Sequence, residues 1–345
     1  MLYIHHTSCI SPQKTYGGEA LSFDKNSVDG KLLSIEPDYS GIPINILRRM
    51  GKAVRMGVGA ALPLLKPGQP NGIIFGTAIG GMEDCIKFLN QIVQYEEGML
   101  TPGNFVQSTP NAVASQIGLM TKNTGYNITH VHRGLAFEMA LLDAMMMCEE
   151  KPDAEWLVGG VDEISAYNYN IERLGGWYKT ADASSENLFT SATPGSIAGE
   201  GAAMFRVSGK GTNAIAAIEA VETIHTKEII ELSDRWKEFL DLHFGKESPE
   251  LIISGDNGDS RIVPFYKAIQ ETTPAGADIL RFKQFSGEFP TATGFALWLA
   301  VSINKLNSLP DSAFISRRGI ASYRNAVIYN NYKGEQHSFI LVQLP

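Results

Sequence analysis

The stretch YNITHVHRGLAFEMALLDAMMM, Tyr126–Met147, decides how the rest of the chain is read. NITHV reads as a strand, and LAFEMALLDAMMM, running on through Cys148, reads as a helix. A charged HVHR turn joins them. Strand-to-helix turns are where α/β enzymes expose a nucleophile, because the side chain there stands clear of both elements. This turn offers His130, His132 and Arg133, and neither serine nor cysteine. It is a working site of unusual chemistry, a site that has lost its nucleophile, or simply a polar turn.

The alternation of strand and helix extends in both directions. LYIHHTSCI (Leu2–Ile10) reads as a first strand, and GIIFGTAIGG (Gly72–Gly81) as a buried strand ending in a turn. In the following EDCIKFLNQIVQYEEG, Ile86, Leu89, Ile92 and Val93 recur at helical spacing, with Gly98 as C-cap. SQIGLM fits a short helix, EWLVGGVDE a strand and, after a loop rich in Ser, Thr, Asn and Gly, GEGAAMFRVS another strand. Five strands therefore end near Val207. The pattern then repeats: strands in AIAAIEAVET, ELIISGD and ADILRFKQF, helices in TKEIIELSDRWKEFLDLHF, VPFYKAIQE and TGFALWLAVSINKL, and a closing pair, NAVIYNNYK and HSFILVQLP. Two α/β halves of like layout, 1–207 and 208–345, predict a duplicated architecture with a mixed sheet in each half.

Bulk properties narrow the function. A chain of 345 residues exceeds one small core. With 44% apolar and 19% charged residues it has ordinary globular composition, which gives no case for disorder. A net charge of −8 disfavours nucleic acid or acidic membranes as partners. Cys9, Cys85 and Cys148 follow no zinc spacing and no disulfide framework, so reduced, cytoplasmic thiols are expected. The N-terminal MLYIHHTSCISPQ lacks the features of a signal peptide, and no run reaches the roughly 18 apolar residues of a membrane span. GTAIGG lacks the dinucleotide fingerprint and its acidic partner, so no cofactor is implied.

ISPQ, GTAIGGMED, PGNFVQSTPNAVASQIGL, WLVGGVDE and GSIAGEGAAMFRV, in that order, resemble the landmarks of a β-ketoacyl-[acyl-carrier-protein] synthase of the thiolase superfamily. RFKQFSGEFPTATG resembles that family's late lysine-containing segment. STPNAVASQI and HRGLAFEMALLDAM look most like the subgroup of aryl-polyene and flexirubin-type pigment pathways. The resemblance implies a five-layered αβαβα fold of two duplicated halves, dimerisation through the first half, and an acyl carrier protein as partner. It also implies chemistry that needs a thiolate at the strand-to-helix turn, two imidazoles and a glycine-rich oxyanion loop.

Position by position, that machinery is replaced. The cysteine position falls on His132, within one residue. The first histidine position falls on Gly255 or Asp256 in SGDNGDSR, the second on Glu288, and the family lysine is retained as Lys283. The oxyanion loop lies in Tyr329–Phe339, where Gly334 alone remains. The expected result is a closed hydrogen-bonded cluster of His132, Asp256, Glu288 and Lys283. His130 and His132, two apart on a strand end, offer a metal site with Asp256 or Glu288, although spacing fixes no third ligand. The plainer expectation is a polar turn with His132 bonded to Glu288. Arg133 is expected to pair with Glu138 or Asp143, or else to hold a carboxylate or phosphate. Cys85 is read as a core thiol, and Met145–Met147 as buried packing or the lining of an acyl tunnel. These substitutions point to a non-condensing subunit resembling a chain-length factor, paired with a ketosynthase or with itself. The competing readings are thioester processing by His132 and Glu288, or stand-alone binding of acyl carriers.

Overall fold

The structure is a computed structural model that describes residues 1–17, 27–179, 183–306 and 309–345. Part of the Ser-, Thr-, Asn- and Gly-rich loop read above, at 180–182, lies outside the described residues. The large sheet contains β1 (Leu2–Ile10), β2 (Gly72–Gly76), β3 (Tyr126–His130), β4 (Glu155–Asp162), β5 (Gly201–Ser208), β6 (Ala216–His225), β7 (Leu251–Ser254), β8 (Asp278–Arg281), β9 (Phe314–Ser316), β10 (Asn325–Tyr332) and β11 (Gln336–Gln343). The principal helices are α1 (Lys52–Ala61), α2 (Met82–Gln94), α3 (Ala112–Thr121), α4 (Ala136–Glu150), α5 (Ala166–Leu174), α6 (Ile229–Phe244), α7 (Val263–Thr272) and α8 (Thr293–Ser302).

One topology occurs twice. The first set of strands runs β3-β2-β4-β5-β1, the second β8-β7-β10-β11-β6, with β9 added outside β8. In the first set β2 is parallel to β3 and β4, and β5 is antiparallel to β4 and β1. In the second, β7 is parallel to β8 and β10, and β11 is antiparallel to β10 and β6. The sets are not separate sheets. Leu2, Tyr3 and Ile4 of β1 pair antiparallel with Ile218, Ala217 and Ala216 of β6, joining all eleven strands.

Burial sorts the helices into layers. Ala53, Val54, Met56 and Val58 of α1 and Val113 and Ile117 of α3 pack on Ile73, Phe75, Leu157 and Met204 of the first set. Leu232, Trp236 and Phe239 of α6 and Phe265 of α7 pack on Ile252 and Phe339 of the second. Between the sets lie α4 and α8, in one core with strands of both. Every residue of α8 from Thr293 to Val301 is buried, as a helix apolar on all sides requires. The end of β2 touches the start of α4: a Cβ on Gly76 would stand 2.4 Å from the Ala136 carbonyl oxygen. This is the five-layered αβαβα architecture with duplicated halves. No helix among the described residues is long and apolar enough to cross a membrane.

Some local readings are corrected. Tyr95, not Gly98, caps α2, and the reversal passes through Glu96 and Glu97 at φ 46° and 64°. The apolar side of α2 does not enter a core; Leu89 and Val93 are exposed, and Cys85 is half-buried on that helix. Of the methionine run, Met145 and Met147 pack on the central core, but Met146 is 59% exposed.

A buried carboxylate joins the two sets. Asp162, at the end of β4, accepts the N–H groups of Ala78 and Ile79 on one oxygen, and the N–H and hydroxyl of Thr291 on the other. The Thr77 hydroxyl is shared between Asp162 and the Val161 carbonyl. Burial pushes this carboxyl upward in pKa, and the donors act against that. Asp162→Ala orphans these donors and is expected to cost about 3 kcal/mol or more, read as a lower urea midpoint.

Candidate functional site

The turn after β3 points three polar side chains in different directions. His130 lies 2.8 Å from Asp143, whose carboxylate also accepts from Tyr126. His132 is exposed, with its Nδ1 3.4 Å from the Gln336 amide nitrogen. Arg133 is exposed and takes φ 48°, a left-handed conformation that non-glycine residues reach mainly at strained turns. The next residue, Gly134, donates its N–H to Gln336. A Cβ on Gly134 would stand 2.2 Å from that of Tyr332, so the Tyr332 side chain sits directly on the turn.

On the other side of Tyr332 is a cleft. Trp177, Tyr178, Ile164 and Phe289 form its walls, with Glu163, Glu172, Asn257, Glu288 and Lys333 as polar groups. Lys283, fully buried, donates to one Glu288 oxygen at 2.7 Å, and Asn257 donates to the other at 2.6 Å. Lys333 pairs with Glu172 at 2.6 Å. Tyr332 lines this cleft as well, and its buried phenol is pushed up in pKa, with Glu172 and Glu288 adding to the effect.

The expected four-residue cluster is therefore not formed. Lys283 meets Glu288, but His132 does not line the cleft and meets Gln336 instead. Asp256 accepts the Gly258 N–H and lines a different pocket with Phe189, Lys267 and Arg281. From the SGDNGDSR segment the residue that reaches Glu288 is Asn257, which the sequence reading passed over. The adjacent Gly258, at φ 70°, marks the turn that swings Asn257 inward. Arg133 pairs with neither expected carboxylate: Glu138 accepts from Ser338 deep in the core, and Asp143 is held by His130. Among the described residues no group of His, Cys, Asp and Glu is placed to hold a metal.

No cysteine among the described residues lines the cleft. Burial pushes Cys9 up to about 12 and Cys148 up to about 11, which keeps both protonated in the core. Cys85 sits on α2 and does not line the cleft. The group poised near neutrality is Glu163, whose pKa burial raises to about 7, with Asp84 and Glu200 adding to the shift and the Ala53 N–H opposing it.

Residues 28–173 match the family model described as "Beta-ketoacyl synthase, N-terminal domain". No curated protein matches the chain by sequence. Among solved structures, the ishigamide ketosynthase/chain length factor superposes with TM-score 0.76 at 16% identity, covering 99% of each chain. A β-ketoacyl synthase from Burkholderia phymatum gives 0.76 at 15% identity, covering 100% of this chain and 99% of that one. A type II PKS acyl-carrier protein in complex with its ketosynthase bound to the hexaketide gives 0.73 at 13%, again covering 100% and 99%. The chain thus has the thiolase-like ketosynthase fold, and residues 28–173 carry the signature of the ketosynthase N-terminal domain.

Two measurements check this site. Because folding raises the Glu163 pKa from 4.5 to about 7, the native state holds that proton more tightly than the unfolded chain. Its contribution to stability is full below about pH 4.5 and is lost as pH rises to about 7, on the order of 2–3 kcal/mol. Urea denaturation across this range is expected to show that loss, and Glu163→Gln to remove it. Separately, Gly134→Ala should destabilise by about 2 kcal/mol or more through collision with the Tyr332 Cβ, and by under about 1 kcal/mol in a Tyr332→Gly background, which removes that atom.

Proposed function

We propose that this protein is a non-condensing ketosynthase-like subunit, comparable to a chain-length factor, in fatty-acid or polyketide assembly. Its halves are 1–207 and 208–345, and it acts beside a ketosynthase that retains the Cys-His-His set. The observation that carries the reading is that His132 meets Gln336 and does not line the cleft that Asn257 and Glu288 line. By the resemblance, His132 stands within one residue of where a thiol is needed, and Gly255 or Asp256 and Glu288 stand where imidazoles are needed. Claisen condensation requires a thiolate, a decarboxylating pair and an oxyanion donor, and no group here supplies the first two. The likeness of the whole chain to the ishigamide ketosynthase/chain length factor supports this role. The STPNAVASQI and HRGLAFEMALLDAM segments favour the aryl-polyene and flexirubin type within it.

Two features of the first half support a partner. Leu89 and Val93 of α2, with Met99, Phe105 and Val106 just beyond, are exposed large apolar groups. The outer edge of β3 has no neighbouring strand among the described residues. Exposed apolar groups and an open strand edge each favour association. We assign it to a ketosynthase partner, with a second copy of this chain as the fallback and acyl carrier protein as the visiting component. Thioester processing by His132 and Glu288 is disfavoured, since Glu288 lines the cleft and His132 does not.

The test is twofold. Co-expressed with a Cys-His-His ketosynthase encoded beside it, the chain is expected to co-elute as a heterodimer on size exclusion. Incubated alone with acyl-carrier thioesters, it is expected to show no added mass. A stable acyl adduct mapped to His132 would overturn the non-condensing reading.

A further inference from the structure

The cleft beside Glu288 has a chemistry that a purely architectural subunit does not use. Its four lining carboxylates are Glu163, Glu172, Asp259 and Glu288. Three already hold a cation supplied by the protein: Lys333 on Glu172, Arg261 on Asp259 and Lys283 on Glu288. Two of these cations also lie on one indole, Arg261 at 4.0 Å and Lys333 at 4.8 Å from the Trp177 ring centre. Lys333 is in addition 5.3 Å from the Tyr332 ring centre. The cleft thus demonstrably seats ammonium and guanidinium groups between an aromatic face and a carboxylate, as the ring quadrupole favours.

Glu163 is the exception. It is 3% exposed, and one oxygen accepts the Ala53 N–H at 3.0 Å. Among the described residues no ion pair and no second hydrogen bond reaches it. The charged groups around it are Glu83 and Asp84 on α2 and Glu200 before β5, all acidic, and Lys52 of α1 is taken by Glu200. A buried carboxylate with one donor and no counter-charge is costly, and a cation brought in by a ligand recovers that cost.

We propose that this cleft binds a small organic cation, a primary or quaternary ammonium on a short alkyl chain, with its charge against Glu163 and its hydrocarbon on Trp177 and Tyr178. The site is complete in one chain and does not depend on the subunit role proposed above.

The experiment is calorimetric titration of the full chain, at about pH 8 so that Glu163 is ionised. The probes are choline, n-butylammonium and 3,3-dimethylbutan-1-ol, the uncharged isostere of choline. Saturable binding of at least one cation is expected, with the neutral alcohol at least about tenfold weaker. Glu163→Gln, a near-isosteric change, should weaken cation binding by about tenfold or more, and Trp177→Leu should weaken it through loss of the ring face. Equal binding of the alcohol, no saturable cation binding up to about 10 mM, or unchanged affinity in Glu163→Gln overturns the proposal. If a variant does not fold, the comparison of cation with alcohol on the unaltered protein still decides.

Discussion

The buried carboxylate of Asp162 is the constraint on which the rest of this structure hangs. It closes the loop after β2, ends β4 and fixes the segment leading into α8, which belongs to the second half of the chain. The walls of the cleft come from the segments it ties together: Ile79 follows β2, Glu163 and Ile164 follow β4, and Glu288 to Pro290 precede Thr291. A carboxyl at full burial is tolerated because backbone and hydroxyl donors converge on it, and removing them singly would leave buried polar groups without partners. The relative position of the two halves at the cleft is thus held by directional bonds, while the packing of α4 and α8 supplies the non-directional part of the attraction.

Around that anchor, the polar residues at the cleft form an ordered arrangement of their own. A fully buried lysine would be untenable alone, and Glu288 neutralises it while Asn257 satisfies the other carboxylate oxygen. Tyr332 fills the space above the turn, and only a glycine at 134 leaves room for it. Arg133 holds a left-handed backbone at that turn, and Gly134 follows it under the Tyr332 side chain.

Most strands were legible because they are short apolar runs bounded by glycine and polar turns; Leu2–Ile10 coincides with β1, and EWLVGGVDE extends one residue beyond β4. Helix α1 gave no signal, because Gly57 and Gly59 depress local helix propensity in a segment whose small residues let it lie close on the sheet. The site was legible only as a set of positions. Lys283 and Glu288 lie five residues apart, across a single helical turn, so their pairing was within reach of sequence. The place of His132 outside the cleft was not, since its partner Gln336 lies about two hundred residues away in the chain. Asn257 was passed over because a one-residue shift in a loop carries no periodic signature.

The seam between β1 and β6 bears on how such a chain is made. Strand β1 finds its neighbours in β5, through Ala202 to Ser208, and in β6, through Ala216 to Ile218. Both lie some two hundred residues downstream, so at ribosomal speeds of about 5–20 residues per second β1 waits on the order of 10–40 seconds for a pairing edge. Its apolar face is bare for that interval, and contacts so distant in sequence slow closure further. The earliest of the eleven strands to be made is thus among the last to be settled.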